Sequence, residues 1–354
     1  MTEISAPAGS RPGPGARAEK VETTRKGRYV DRSIVVVLHP QRADSREAAL
    51  SVCQTLHSDG ILPVMLASDY EMLLSHIGSL VTPVRVCDDD AIDTVERDCE
   101  LVMVLGGDGT ILRAAEKFRH LTVPLLGVNL GHVGFLAESE RENLDVAVHR
   151  AVSRDYDVDE RMALDVRVIA DGRVIHRTWA LNEVTIEKSE DTRMIDVILG
   201  VDSRPVSSFG CDGVILATPT GSTAYAFSAG GPIVWPDVEA LLMLPISAHA
   251  LFTKPLVVSP DSHLGVEFRP SQPGMHAGLW CDGRHEIELP AGARIEARRS
   301  KTPVALARLS ARRFADRLVA KFQLPVTGWR GPSHTADTNA VPVVSTEEQQ
   351  RGDR

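Results

Sequence analysis

Residues 106–110 read Gly-Gly-Asp-Gly-Thr, and three glycines around one carboxylate bring phosphate chemistry and proton chemistry to the same turn. Glycine lets the backbone approach a phosphate closely and tolerates positive φ. A helix that follows such a turn presents unpaired N–H groups to an anion. A carboxylate inside a phosphate cradle is repelled unless it handles a proton or a metal ion, so Asp108 is the candidate catalytic group. A second run, Ala217-Thr218-Pro219-Thr220-Gly221-Ser222-Thr223-Ala224-Tyr225, crowds hydroxyls into a turn that ends on an aromatic ring. Such groups suit phosphate or ribose oxygens, and Tyr225 could stack on a base, although a Ser/Thr-rich turn between strands has the same composition. A third step, Leu181-Asn182-Glu183-Val184, sets an amide beside a carboxylate at a strand entry, a pairing also common among solvated turn residues.

The elements that must hold these groups follow two patterns. From Ser33 to about Leu136 short apolar runs alternate with helical stretches: Ser33–Leu38, a helix near Arg46–His57, Val64–Leu66, Val84–Val86, Leu101–Leu105, a helix over Thr110–Phe118, and Leu125–Val128. A helix around Arg141–Val152 closes this region. The alternation predicts a Rossmann-like α/β domain on a mainly parallel sheet, with GGDGT at a strand-to-helix turn. From Leu164 onward the runs are short, β-branched and bounded by Gly, Asp and Pro, which predicts an all-β domain of two packed sheets. A helical pattern at Phe314–Lys321 is expected to return to the first domain. The expected organisation is residues 31–158 with 306–330 as the α/β domain and 159–305 as the β-rich domain. Residues 1–30 and 331–354 are expected to be disordered, because they cannot bury enough apolar surface to offset their ordering entropy.

Composition narrows the classes. The chain has 354 residues, enough for two cores, and a formal charge of −9, which argues against nucleic-acid binding by the surface as a whole. Five scattered cysteines contain no CxxC pair, so neither a disulfide framework nor a zinc site is expected. No apolar run approaches about 18 residues and no leader is evident, so a cytoplasmic protein without a membrane contact is expected. GxxxxGK[ST], a GxGxxG after the first strand, GxSxG and HExxH are all missing, which removes support for P-loop enzymes, ordinary dehydrogenases, nucleophile-elbow hydrolases and zincins.

GGDGT, the Asn182–Glu183 step and the Thr218–Tyr225 run occur in this order in the NAD kinase family, and the chain resembles that family from about Ser33 to Arg330. Val128–Leu136 is similar to the family's NxGxxGFL stretch, and Phe322–Arg330 resembles the actinobacterial members. The resemblance implies transfer of a terminal phosphoryl group from ATP, or inorganic polyphosphate, to the 2′-hydroxyl of the adenosine ribose of NAD. It makes Asp108 the general base, a weak base suited to late proton removal in a largely dissociative transition state. Gly106, Gly107 and Gly109 would hold the donor phosphates, with a divalent cation, Mg²⁺, carried on the donor. Arg113 matches a position of the dinucleotide site, Asn182 and Glu183 match the pair that contacts the riboses, and Arg193 and Asp212 match two further NAD-contacting positions. The equivalent of Asp212 reaches a dinucleotide bound largely by the neighbouring subunit. Thr223, Ala224, Tyr225, Ala226, Phe227 and Ser228 match the segment against the adenosine, with Tyr225 stacking. Arg284 stands where many members carry a Gln that can contact the dinucleotide, so it is expected either to make a charged contact there or to face solvent. His132 is expected to be a loop residue. The implied partners are NAD with ATP or polyphosphate, no nucleic acid, no membrane, and further copies in a homodimer or homotetramer. The alternatives are a diacylglycerol- or sphingosine-type lipid kinase or a 6-phosphofructokinase, each sharing GGDGT alone, and a non-catalytic dinucleotide-binding module.

Overall fold

The computed structural model describes residues 32–326, apart from 96–97, 132–133, 141–142, 252, 271–274, 285 and 310–313. The expected disordered ends at 1–30 and 331–354, and His132, lie outside the described residues. The first lobe runs β1 (Ser33–Leu38), α1 (Ala43–Ser58), β2 (Leu62–Leu66), α2 (Ala67–Ile77), β3 (Arg85–Cys87), β4 (Cys99–Leu105), α3 (Asp108–Phe118), β5 (Leu125–Asn129), β6 (Ser139–Glu140), α4 (Leu144–Val152) and β7 (Asp157–Arg161). The second lobe runs β8 (Leu164–Ala170), β9 (Arg173–Ala180), β10 (Glu183–Lys188), β11 (Ile195–Val201), β12 (Arg204–Cys211), β13 (Gly213–Ala217), α5 (Tyr225–Ser228), β14 (Leu241–Ile246), β15 (Leu256–Val258), β16 (Leu264–Phe268), β17 (Ala277–Cys281), β18 (Ile287–Leu289) and β19 (Arg294–Arg299). β20 (Val304–Arg308) and α6 (Phe314–Phe322) follow.

The first lobe is the expected α/β domain. Its main sheet has the order β3-β2-β1-β4-β5-β20-β7, parallel from β3 through β20 and antiparallel only at β7. β1 is buried at all six positions, as an apolar strand covered by helices on both sides must be. α3 buries Ile111, Ala114, Ala115 and Phe118, the one-faced stripe its sequence spacing predicts. β20 enters the sheet between β5 and β7 after the whole second lobe has been made, so both ends of the described chain build one sheet.

The second lobe is all-β, with two antiparallel six-stranded sheets, β12-β11-β16-β19-β8-β9 and β15-β14-β13-β10-β17-β18. Inward residues of the first, such as Val166, Val197 and Val266, share one core with Val184, Leu216 and Leu279 of the second. The lobes meet where Leu181 and Trp179 join the core cluster that contains Ile111, Ala114 and Phe118 of α3. α6 returns as expected: Arg317 donates to the carbonyls of Phe135 and Ala137 and pairs with Glu138 of the first lobe. Its aromatic side also reaches the second lobe, where Phe322 packs on Phe227 with ring centroids 4.5 Å apart.

Candidate functional site

Strand order reverses around β1, whose neighbours are β2 and β4, and the crevice above such a point is where open α/β sheets take ligands. The GGDGT turn sits there. It joins β4 to α3, and a cavity of about 340 Å³ opens beside it, lined by His39, Arg42, Gly107, Gly109, Arg113 and Asn129 among others. Gly106, Gly107 and Gly109 all have negative or extended φ, so the left-handed freedom expected of these glycines is not used. Space is what they supply. A Cβ at Gly106 would strike the Thr110 hydroxyl, whereas at Gly107 or Gly109 it would project into open space. In the first turn of α3 the Thr110 and Ile111 amides bond the Gly107 carbonyl, and no side chain caps the helix N-terminus.

Asp108 is the first residue of α3 and is half-buried. Its two carboxylate oxygens accept from the backbone N–H groups of Phe135 (3.0 Å) and Leu136 (3.1 Å), which fix its orientation. Gly134 is obligatory for this contact, since a Cβ there would overlap the carboxylate.

Three basic side chains flank the cavity. Arg113 is held by Asp69, at 3.2 Å, and by the Leu38 carbonyl. Asp69 is fully buried and also accepts from Leu38 N–H at 3.0 Å; burial pushes its carboxyl up while Arg113 pulls it back. Arg42 is held in a fork by Asp44 and bonds the Leu130 carbonyl. Burial holds the His39 imidazole below the usual histidine range, and the Arg42 and Arg113 charges add to that. His39 and Arg42 were missed as site residues in the sequence. The available signal was a basic His-Pro-x-Arg run at the C-terminal end of the first strand.

The Asn182–Glu183 step is built from below by Asp282. Asp282 follows β17 at φ +53° and its carboxylate accepts from Leu181 N–H (2.8 Å), Asn182 N–H (2.7 Å) and Glu183 N–H (3.2 Å). The hydroxyl-rich run closes on the same step. Thr218 donates its hydroxyl to the Leu181 carbonyl (2.6 Å), and Gly221 lies so close to the Asn182 carbonyl that no Cβ fits. Tyr225 N–H donates to Glu183 Oε2 at 3.3 Å, so α5 and its flanks, Thr223 to Ser228, meet Asn182 and Glu183. The Tyr225 ring is exposed. The hydroxyls of Ser222 and Thr223 bond backbone carbonyls of their own turn, and that of Thr218 bonds the Leu181 carbonyl, so much of the hydroxyl density holds the loop itself. Burial pushes the Glu183 carboxyl up to about 8, with the nearby Asp282 carboxylate adding to it and the Tyr225 N–H opposing.

Not every candidate converges. Arg193 is exposed on the turn after β10, and Asp212 pairs with Lys188 at 2.8 Å at the far end of that strand. Six residues of β10 put them about 17 Å from the Asn182–Glu183 step. Arg284 does not face solvent. Its side chain is 15% exposed and turns inward to the Trp179 carbonyl (2.7 Å), Asp282 and Glu116. No three His, Cys, Asp or Glu among the described residues converge into a metal cage, and among them no helix is long and apolar enough to cross a membrane.

Comparison with known proteins completes the description. The family model for the ATP-NAD kinase N-terminal domain matches residues 34–156, and that for the ATP-NAD kinase C-terminal domain matches 181–309. The chain is 55% identical to the NAD kinase of Leifsonia xyli over 301 residues, 85% of this chain and 97% of that one. It is 53% identical to the NAD kinase of Thermobifida fusca over 316 residues, 88% and 95% of the two chains. Among solved structures, the yeast NADH kinase complexed with NADH shares the fold with a TM-score of 0.74 at 22% identity, over 83% of this chain and 88% of that one. The NAD kinase of Archaeoglobus fulgidus in complex with ATP superposes with a TM-score of 0.59 at 26% identity, over 83% of this chain and all of that one.

Proposed function

The chain belongs to the NAD kinase family, and on that premise we propose that it transfers the terminal phosphoryl group of ATP to the adenosine ribose 2′-hydroxyl of NAD, with Asp108 as the base. Readings as a lipid kinase, a 6-phosphofructokinase or a non-catalytic module fall with that membership. The observation that carries the assignment of roles is the carboxylate of Asp108, clamped through both oxygens by Phe135 and Leu136 N–H beside a basic cavity. A donor phosphate chain fits against the open faces of Gly107 and Gly109, with Gly106 keeping the turn tight. His39 and Arg42, between β1 and α1, and Arg113 of α3 then face it. Phosphoryl transfer asks for positioning and charge neutralisation rather than covalent help, and this arrangement offers both. A divalent cation such as Mg²⁺, carried on the donor phosphates, would neutralise part of their charge.

On the acceptor side, Asn182 and Glu183 take the ribose hydroxyls. Glu183 is protonated at neutral pH and donates a hydrogen bond. Thr223, Ala224, Tyr225, Ala226, Phe227 and Ser228 line the adenosine, with the exposed Tyr225 ring stacking on the base. Arg193 and Asp212, distant from that step, serve a dinucleotide held by a neighbouring copy in a homodimer or homotetramer. The enzyme works in the cytoplasm.

A coupled assay of NADP formation crossing NAD and NADH with ATP and polyphosphate tests this directly. NADP is expected from NAD with ATP, and the polyphosphate arm decides the breadth of the donor site. No phosphorylated dinucleotide in any combination would overturn the reading.

A further inference from the structure

We propose that Arg284 is a positioning residue that fastens helix α3 to the acceptor turn through Glu116 and so sets the distance between Asp108 and the acceptor ribose. This rests on the NAD kinase reading of the site. The guanidinium is fully engaged. Nη2 donates to the Trp179 carbonyl at 2.7 Å and to Asp282 Oδ2 at 3.3 Å, and Nε donates to the Cys281 carbonyl at 3.1 Å. All three acceptors belong to the second lobe, and Asp282 is the group that holds the amides of Leu181, Asn182 and Glu183. Nη1 reaches across the lobe boundary to Glu116 Oε1 at 3.2 Å. Glu116 lies on α3, the helix that begins at Asp108.

A second guanidinium reinforces the same seam. Arg119, just past the end of α3, lies 4.3 Å from the Trp179 ring centroid, and Arg284 lies 4.7 Å from it. Arg119 also donates to the Thr302 carbonyl at 3.0 Å. The C-terminal half of α3 is thus docked on Trp179, two residues before the acceptor turn begins at Leu181.

The Arg284–Glu116 pair is poorly suited to a stabilising role. Glu116 is 41% exposed, and ion pairs at such sites add little to stability. Its leverage is geometric. Asp108 lies eight residues away, about 12 Å along the helix, so a tilt of ~5° pivoting at Glu116 moves the carboxylate by about 1 Å. Displacements of that size slow an oriented reaction by up to about 100-fold.

The test compares Glu116→Gln, Arg284→Gln, Arg284→Lys and the double variant Glu116→Gln/Arg284→Gln by steady-state kinetics. Each Gln variant is expected to lower kcat about 10-fold with the KM for NAD within about twofold of wild type. The double variant is expected to lose no more than the worse single one, because the two residues act as one link. Arg284→Lys is expected to recover part of the loss. An unchanged kcat in Glu116→Gln, additive losses, or an Arg284→Gln that raises the KM for NAD at constant kcat would overturn the proposal. The last outcome would mean that Arg284 touches the dinucleotide itself. Glu116→Gln alters only a surface group and keeps the test valid if Arg284→Gln fails to fold. Hydrogen exchange at the Asn182 and Glu183 amides gives a readout independent of turnover. It is expected to speed up severalfold in Glu116→Gln, and unchanged exchange would overturn the link. A wild-type enzyme making no NADP would instead refute the functional reading and leave the exchange result to judge the link.

Discussion

The carboxylate proposed as the base stands at a helix N-terminus, surrounded by glycines that give it room, with nothing nearby in sequence to aim it. Here the aim comes from two amides 27 and 28 residues downstream, those of Phe135 and Leu136. Asp108→Asn removes the proposed base and also turns one of those amides toward an NH₂ group. The expected result is a kcat lower by about 10²–10⁴-fold with little change in the KM for NAD. Unfolding stability is expected to fall by about 1–3 kcal/mol, read by denaturant titration. The glycines separate by the same logic. Gly107→Ala is expected to fold normally and raise the KM for ATP, since its Cβ would occupy the phosphate space. Gly106→Ala is expected to lower Tm, because its Cβ meets Thr110. Glu183 carries a pH signature. Its carboxyl is raised from an ordinary value of 4.5 to about 8, so the folded state holds a proton that the unfolded state releases. Its contribution to stability is complete below about pH 4.5 and is lost as pH rises through about 8. A Tm profile between those limits is expected to flatten in Glu183→Gln. GGDGT, the Asn182–Glu183 step and Tyr225 were legible because each is a local run with its own chemistry. Asp282, His39 and Arg42 were not, because an isolated Asp or Arg shows its role only when folding supplies its partners.

Among the elements, α6 joins the two halves of the site. Phe322 lies 4.5 Å from Phe227 and 5.8 Å from Phe135, so the segment that holds Asp108 and the segment assigned to the adenosine share one aromatic cluster. Beneath it, Glu138 is fully buried between Arg308 of β20 and Arg317 of α6. Removing one partner of a buried pair leaves an uncompensated charge, about 3–5 kcal/mol. Glu138→Gln, which leaves two guanidiniums facing a neutral amide, is expected to lower Tm by roughly 5–10 °C in calorimetry. Most strands were legible from burial alone. β1 from Ile34 and β4 from Leu101 read as unbroken apolar runs, and β8, β11 and β16 as alternating ones. α2 was not, and the reason is physical. It follows β2 without a loop, and its short stripe of Tyr70, Leu73, Leu74 and Ile77 is interrupted by the buried Asp69. The charged Asp69 occupies the inward position because Arg113 needs it.

At the scale of the molecule, the two-lobe plan was legible because strand–helix alternation gives way once to strands alone. The seam between the lobes was not, since it is made of Trp179, Leu181 and α3 side chains far apart in sequence. The architecture makes a fragment test possible. Both sheets of the second lobe are complete between Leu164 and Arg299, so residues 162–303 are expected to melt cooperatively by circular dichroism. Residues 32–161 alone are expected to lack a cooperative melt, because β20 is missing between β5 and β7. The same strand order sets a timetable for synthesis. Leu125 pairs with Leu306, about 180 residues later, so on a ribosome adding about 5–20 residues per second β5 waits roughly 10–40 s for its neighbour. During that interval the nascent chain presents an unpaired strand edge, the kind of template on which other chains add. The middle of the protein is made second and can finish first, whereas the first sheet closes only after the last strand emerges.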